Sequence, residues 1–274
     1  MLIATDLDGT LVPNDSTVIS GYTADVLARV DRAGVPVVFV TARPLRWMDG
    51  FWPYVARHGL AIVSNGAIVY DARARAVRAL SGIAPADGLA LTEVIARAVP
   101  GATFAIECLD GIRQDPNFRE RYRVPDGSPR GPLADIWDAP AVKVLVRHER
   151  MADEEFRDRV VAVVGDAATA TWSVPGLVEI SASGVTKATA LTTLCRELGV
   201  PAAEVIAFGD MPNDLPMLAW AGRSYAMANA HQSVLDAADF VAPACEHDGV
   251  AQVLDTLIGG SGIGQDDRPR DCAR

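Results

Sequence analysis

Apolar residues come in short blocks whose spacing alternates between strand and helix. Residues 2–5 form a continuous apolar run that stops at an acidic turn, as a buried strand does when it ends in a functional loop. Across residues 20–33 the apolar positions Tyr22, Val26, Leu27 and Val30 repeat at helical spacing. Ser20 is available as N-cap there and Gly34 stands just past the end. Residues 35–40 are continuous and β-branched, which predicts a strand covered on both faces. Residues 44–57 read as a helix with Pro44 near its start. Residues 60–63 read as a third strand, Ser64-Asn65-Gly66 as a turn, and residues 67–70 as a short returning strand. This alternation predicts a parallel sheet with right-handed crossovers.

The rhythm changes near residue 80. A helix over 85–99 and a strand over 103–107 precede a long polar, proline-rich stretch, 110–140, expected to be irregular. A strand at 141–147, a helix at 151–164 and two strands around Pro175-Gly176 follow, a pattern expected of a mostly antiparallel layer. The first rhythm then resumes: a helix at 187–198, a strand at 205–208, a short helix at 212–220, then further short strands and helices to residue 258. The expected organisation is a doubly wound α/β core from residues 1–79 and 185–258, with 80–184 inserted into it. The Gly-, Asp- and Arg-rich tail 259–274 is expected to be disordered.

Composition sets bounds on this reading. Of 274 residues, 50% are hydrophobic and 22% charged, with a formal net charge of −10, so a core can form and wholesale disorder is excluded. No basic cluster favours nucleic acid. No apolar run approaches the ~20 residues that cross a bilayer, and the opening residues lack a secretory pattern. The expectation is a cytoplasmic protein without nucleic-acid or membrane partners, its oligomeric state left open. The four cysteines lack metal-binding or disulfide-frame spacing. Lysine occurs only at Lys143 and Lys187 among 25 basic residues.

Two strands end in acidic turns, Asp6-Leu7-Asp8-Gly9-Thr10 and Gly209-Asp210-Met211-Pro212-Asn213-Asp214. In open α/β sheets, ligands sit beyond the carboxyl ends of the strands near the point where strand order reverses. Carboxylates converging there repel unless a cation offsets them, and hard oxygen donors favour Mg²⁺. The alternative is that Asp6 and Asp8 are turn formers and Asp210 an N-cap. Thr41, at the end of residues 35–40, could meet a phosphate through its hydroxyl and the following backbone N–H groups. Lys187 begins a helix, where the dipole does not favour a cation, which suggests an anionic ligand. Gly9 would allow close backbone approach.

DLDGT at 6–10, VTAR at 40–43, the lysine of VTKATAL at 185–191 and GDMPNDLPML at 209–218 resemble, in order, the four motifs of the haloacid dehalogenase superfamily. SNGA at 64–67, the insertion after it, and the late AMANA and DGVA segments resemble its Cof-type branch, whose C2B cap lies between the second and third motifs. The resemblance covers roughly residues 1–258. Ala42 departs from the glycine common in this branch but supplies the same backbone N–H.

The resemblance implies a Rossmann-like core with an α/β cap and a Mg²⁺-dependent phosphatase acting on a small phosphorylated metabolite, most readily a sugar phosphate. Asp6 would be the nucleophile. Asp8 would be the acid and base, expected to keep its proton near neutral pH. Mg²⁺ would bridge Asp6, the Asp8 carbonyl and Asp210. Thr41 and Lys187 would hold the transferring oxygens, with Gly9, Ala42, Arg43 and Asn213 near phosphate or substrate. Asn213 and Asp214 would orient these groups. Arg113, Arg119, Arg121 and Arg123 are candidates for substrate contact in the cap. Trp47 and Trp52 are expected in the core, and Lys143 in a structural role. A phosphotransferase or mutase, and a silent phospho-ligand-binding protein, remain the alternatives.

Overall fold

A computed structural model describes residues 1–259 apart from Asp15 and Ala56. The expected tail disorder therefore falls, beyond residue 259, outside the described residues.

The first sheet has eight strands. They are β1 (Leu2–Thr5), β2 (Val37–Val40), β3 (Leu60–Val63), β4 (Ile68–Asp71), β5 (Ala76–Leu80) and, late in the chain, β11 (Val205–Gly209), β12 (Arg223–Met227) and β13 (Phe240–Ala242). Their spatial order is β13-β12-β11-β1-β2-β3-β4-β5. The six strands from β13 to β3 run parallel, and β4 and β5 fold back antiparallel. Strand order reverses between β1 and β11, which pair in register with Thr5 opposite Phe208. The crevice for a ligand should open at that place.

Both faces of this sheet are buried, which is why its strands read as continuous apolar runs. In β1, Ile3 packs into one cluster with α1 (Gly21–Arg32) and α8 (Gly249–Gly259). Leu2 and Ala4 pack into the other, with α5 (Lys187–Leu198), α6 (Leu215–Trp220) and α7 (Gln232–Ala237). The Ser20 side chain caps α1 by accepting from the Thr23 N–H at 3.0 Å.

The second sheet holds β6 (Thr103–Cys108), β7 (Gly111–Gln114), β8 (Ala141–Arg147), β9 (Ala168–Thr171) and β10 (Leu177–Ala182) in the order β7-β6-β8-β10-β9, antiparallel throughout. Helices α2 (Pro85–Ala98) and α4 (Asp153–Val164) cover one face, and Ile106, Val144, Val146 and Ile180 meet them there. Strand periodicity turns the intervening residues to the other face, so Glu107, Lys143, Leu145, Leu177 and Glu179 look towards the first sheet. No described helix is long and apolar enough to cross a membrane.

Three segments differ from the sequence expectation. The helix expected over 44–57 is two single 3₁₀ turns, Leu45–Trp47 and Trp52–Tyr54. Gly50 lowers helical propensity between them and packs where a Cβ would lie 3.1 Å from the Thr17 carbonyl oxygen, and Pro53 removes a donor. Residues 110–140 are not wholly irregular, because they contain β7 and the one-turn helix α3 (Leu133–Ile136). Strand β5 is an unexpected element: it is a largely exposed edge whose apolar residues are split by Arg78.

Phe39 is fully buried in central strand β2. Phe39→Ala should therefore cost about 3–5 kcal/mol of stability, measured by urea unfolding. A loss below about 1 kcal/mol would contradict the central placement of β2.

Candidate active site

The reversal point brings together acids about two hundred positions apart. Asp6 follows β1 directly, and its N–H donates to the Phe208 carbonyl of β11 at 3.1 Å. Asp210 follows β11, so the two carboxylates leave adjacent strand ends. Both are about 95% buried. Asp210 accepts from the Thr10 hydroxyl at 2.8 Å. Gly9 closes the turn at φ +73°, and a Cβ there would lie 2.2 Å from Asp210 Oδ2. A side chain at this position would be excluded both by backbone conformation and by the carboxylate.

Lys187, at the first turn of α5, is buried among these acids. Its Nζ donates to Asp214 Oδ1 at 2.6 Å and lies 2.8 Å from Asp6 Oδ1. Asp214 Oδ2 accepts from the N–H groups of Asp210 and Met211, both at 3.1 Å, which fixes the loop that carries Asp210. Asp214 thus holds both the lysine and the loop. The capping box of Thr186 and Thr189 explains why α5 starts at Lys187 despite the unfavourable dipole position.

Electrostatics follow from burial. Desolvation, opposed by Lys187 and reinforced by Asp214, Asp210 and Asp8, raises the Asp6 carboxyl well above its ordinary value. Burial, with Asp214 nearby, pushes Asp210 up to about 7. Burial pulls Lys187 down, but Asp214 and Asp6 more than compensate and hold it above its ordinary range. Two carboxylates lifted this way mark negative charge that one lysine does not fully offset. Asp6, Asp210 and Asp214 offer oxygens lying within 4.8 Å of one another, a donor set of hard oxygens that fits Mg²⁺.

Thr41 is buried at the end of β2. Its N–H donates to the Ile62 carbonyl at 2.9 Å, and its hydroxyl accepts from the Arg43 N–H at 3.0 Å. Arg43 forks onto Asp8, with Nε 2.7 Å from Oδ2 and Nη2 2.5 Å from Oδ1, and also donates to the Ser16 carbonyl at 2.6 Å. Its guanidinium lies over the Phe51 ring, 4.7 Å from the centroid. Asp8 is thereby held at the wall of the cavity that Asp6 also lines.

That cavity, about 850 Å³, lies between the two sheets. Its roof carries features that sequence reasoning missed. Lys143, read from sequence as structural, forms a buried ion pair with Glu179 and donates to the Ala42 carbonyl at 2.6 Å. Lys143 lowers the Glu179 carboxyl, together with hydrogen bonds from Ser173 and Asn65, against the opposing effect of burial. Arg46 forks onto Glu107 at 2.8 and 3.0 Å, bridging the sheets, while burial lifts the Glu107 carboxyl. Asn213 donates to Asn65 Oδ1 at 3.1 Å. The available signal was a lysine and a glutamate inside otherwise apolar strands, AVKVLVR and LVEISA.

The arginine candidates separate. Arg121 and Arg123 line the cavity. Arg113 does not: it is buried against Asp110 and Asp138, at 2.8 Å from each, on the helix-covered side of the cap sheet. Arg119 is exposed beside Glu149. Trp47 lines the cavity, with its ring edge-on to Tyr122 at 4.9 Å, rather than filling the core. Trp52 packs on Tyr70, 5.0 Å between centroids.

A parallel sheet with acidic strand ends at its reversal point, roofed by a second sheet, is a doubly wound α/β core with an inserted cap. The model of the haloacid dehalogenase-like hydrolases matches residues 3–254, and the chain belongs to that family. It is similar to the 5-amino-6-(5-phospho-D-ribitylamino)uracil phosphatase YitU of Bacillus subtilis, 30% identical over 263 residues that cover 92% of this chain and 96% of that one. The HMP-PP phosphatase of Yersinia pestis (strain Pestoides F) is 27% identical over 263 residues, covering 92% and 93%. The crystal structure of TM0651 from Thermotoga maritima matches with a TM-score of 0.74 and 26% identity, over 97% of this chain and 98% of that one. The chain is therefore an enzyme of the hydrolase class, with the mixed α/β fold and cap layer of its family.

The raised Asp6 and Asp210 carboxyls predict a pH effect of definite sign. Both folded values lie above the unfolded ones, so the native state holds extra protons and loses stability as pH rises, for Asp210 between about pH 4 and 7. Mg²⁺ should therefore raise Tm more at pH 8 than at pH 6, as scanning calorimetry can measure. An equal or reversed effect would contradict the assignment of these acids to a cation site.

Proposed function

We propose that this phosphatase is a Mg²⁺-dependent phosphomonoesterase that acts on a small phosphorylated metabolite through an aspartyl-phosphate on Asp6. The observation that carries the reading is the convergence of Asp6 and Asp210 at the floor of one cavity, with Lys187 and Asp214 buried directly behind them.

Both Asp214 oxygens are engaged by Lys187 and by backbone N–H groups. Asp6 and Asp210, with the Asp8 carbonyl that the family resemblance implies, would therefore hold the ion. Bound there, Mg²⁺ would offset charge between phosphate and carboxylates.

The chain's own residues account for the bond changes. An Asp6 oxygen attacks phosphorus while the ester P–O bond breaks, and the leaving oxygen takes a proton from Asp8. Water then attacks phosphorus. Asp8 recovers a proton from it, and the Asp6–phosphorus bond breaks to free phosphate. For this exchange one Asp8 oxygen must first release its Arg43 N–H, take a proton from solvent and turn to the leaving oxygen, while Arg43 keeps the other oxygen in place. Lys187 and the backbone N–H groups after Thr41 hold the transferring oxygens, where positioning and electrostatics supply most of the rate.

The cavity favours a leaving group with hydroxyls. Asn14, Thr17, Arg121 and Arg123 line the cavity with polar groups that can meet hydroxyls, and Trp47 with Tyr122 supplies an apolar wall. A sugar phosphate or a phosphorylated polyol chain suits this lining, and the YitU relative is named for a phosphoribityl substrate. Basic surface for a nucleic-acid substrate has no counterpart in a chain of net charge −10.

The purified protein should hydrolyse p-nitrophenyl phosphate when Mg²⁺ is added and release inorganic phosphate. Asp6→Asn should lower kcat by at least about a thousandfold, since the nucleophile is gone. Activity in that variant near the natural level would remove Asp6 from the chemistry.

A further inference from the structure

Asn65 follows a serine that also lies in the left-handed backbone region. Ser64 and Asn65 both have positive φ, at 53° and 56°. Two consecutive non-glycine residues in this region carry strain, which persists only where surrounding contacts hold it. Here the contacts are numerous. The Ser64 N–H donates to the Arg43 carbonyl at 2.9 Å, and the Asn65 N–H to the Thr41 carbonyl at 3.0 Å. Gly66 packs so closely on the residue preceding Lys187 that a Cβ would lie 2.2 Å from the Thr186 carbonyl oxygen. The turn thus touches the loop after β2 and the start of α5.

The Asn65 side chain extends these contacts into the roof. Its Nδ2 donates to Glu179 Oε2 at 3.3 Å, and its Oδ1 accepts from Asn213 Nδ2 at 3.1 Å. Glu179 in turn accepts from Lys143, which donates to the Ala42 carbonyl. The chain of contacts runs from Asn213 through Asn65, Glu179 and Lys143 back to the loop after β2.

Its polarity is fixed at one end. An ionised carboxylate only accepts, so Glu179 takes the amide N–H of Asn65 and turns the Asn65 oxygen to Asn213. Asn213 must then offer its own N–H to Asn65. Its Oδ1 is left buried without a hydrogen-bond partner among the described residues, beside Asp210 and Asp214 on the same loop.

We propose that Asn65 is a positioning residue that relays the acceptor character of Glu179 to Asn213, so that closure of the cap sets which end of the Asn213 amide faces the phosphoryl site. The proposal rests on the phosphatase reading above. When the cap lifts, Asn65 loses Glu179 and the Asn213 amide is free to turn. Turnover is thereby tied to the closed state, although Asn65 itself does not line the cavity.

Exchanging the polarity of one link tests this. In Glu179→Gln, Lys143 holds the new amide's oxygen, its N–H₂ meets the Asn65 N–H₂, and Asn65 with Asn213 must invert. In Asn65→Asp, two carboxylates face each other and the link to the cap breaks; aspartate also tolerates the positive φ. In the double variant, the carboxylate introduced at position 65 accepts from Asn213 and from the amide introduced at position 179, and the natural orientation of Asn213 returns. Each single variant should lower kcat on p-nitrophenyl phosphate by about 10–100-fold, the usual effect of losing an orienting partner. KM should change less than kcat, and the double variant should exceed both singles by at least about tenfold. Single variants at the natural kcat, or a double variant no better than the singles, would overturn the proposal. If Asn65→Asp does not fold, Glu179→Gln alone decides through its kcat. No turnover by the natural chain with Mg²⁺ would instead remove the phosphatase reading, and this inference with it.

Discussion

A single ammonium group among buried acids sets the conditions for everything else in the molecule. Lys187 lies between Asp6 and Asp214, with Asp210 close by, in a site sealed from water on most sides. One positive charge cannot offset three carboxylates in so little solvent. Burial first, and the neighbouring carboxylates after it, raise the Asp6 and Asp210 carboxyls. The site is therefore incomplete as a protein alone, which suits a centre that takes a divalent cation together with a phosphate. The fold supplies this arrangement because strand order reverses between β1 and β11, and that reversal places two distant acids on neighbouring strand ends.

The floor of the site was legible in the sequence because each of its parts is local. Asp6 and Asp210 end apolar runs, Thr41 ends another, and Lys187 opens a helix, so pattern alone places all four at one edge of a parallel sheet. Asp214 and Gly9 follow from the same turns. The strand alternation also survives because both sheet faces are buried. Residues 44–57 mislead for a physical reason: the apolar spacing suggests a helix, but Gly50 and Pro53 break the chain into two short turns around Phe51.

The roof was much less legible. Lys143, Glu179, Glu107 and Arg46 matter only through pairings between the two sheets, and no local spacing records those. Arg113, in a polar stretch, read as solvated surface or else a substrate contact, yet it is neither: strand pairing turns it, buried, to the helix-covered side against Asp110 and Asp138. Asn65 appeared as an ordinary turn residue, and its strained backbone and amide contacts emerge only when Asn213 and Glu179 stand beside it. Strand ends thus announce themselves in sequence, whereas the inner face of a lid is defined by what it closes against.

The central claim is that the Asp6 carboxylate itself accepts the phosphoryl group. The most direct measurement is an acid quench within the first turnovers on a phosphate ester, followed by peptide mass spectrometry. A phosphoryl group is expected on the peptide containing Asp6, at the Asp6 side chain. Phosphoryl label on a different residue during productive turnover would contradict it.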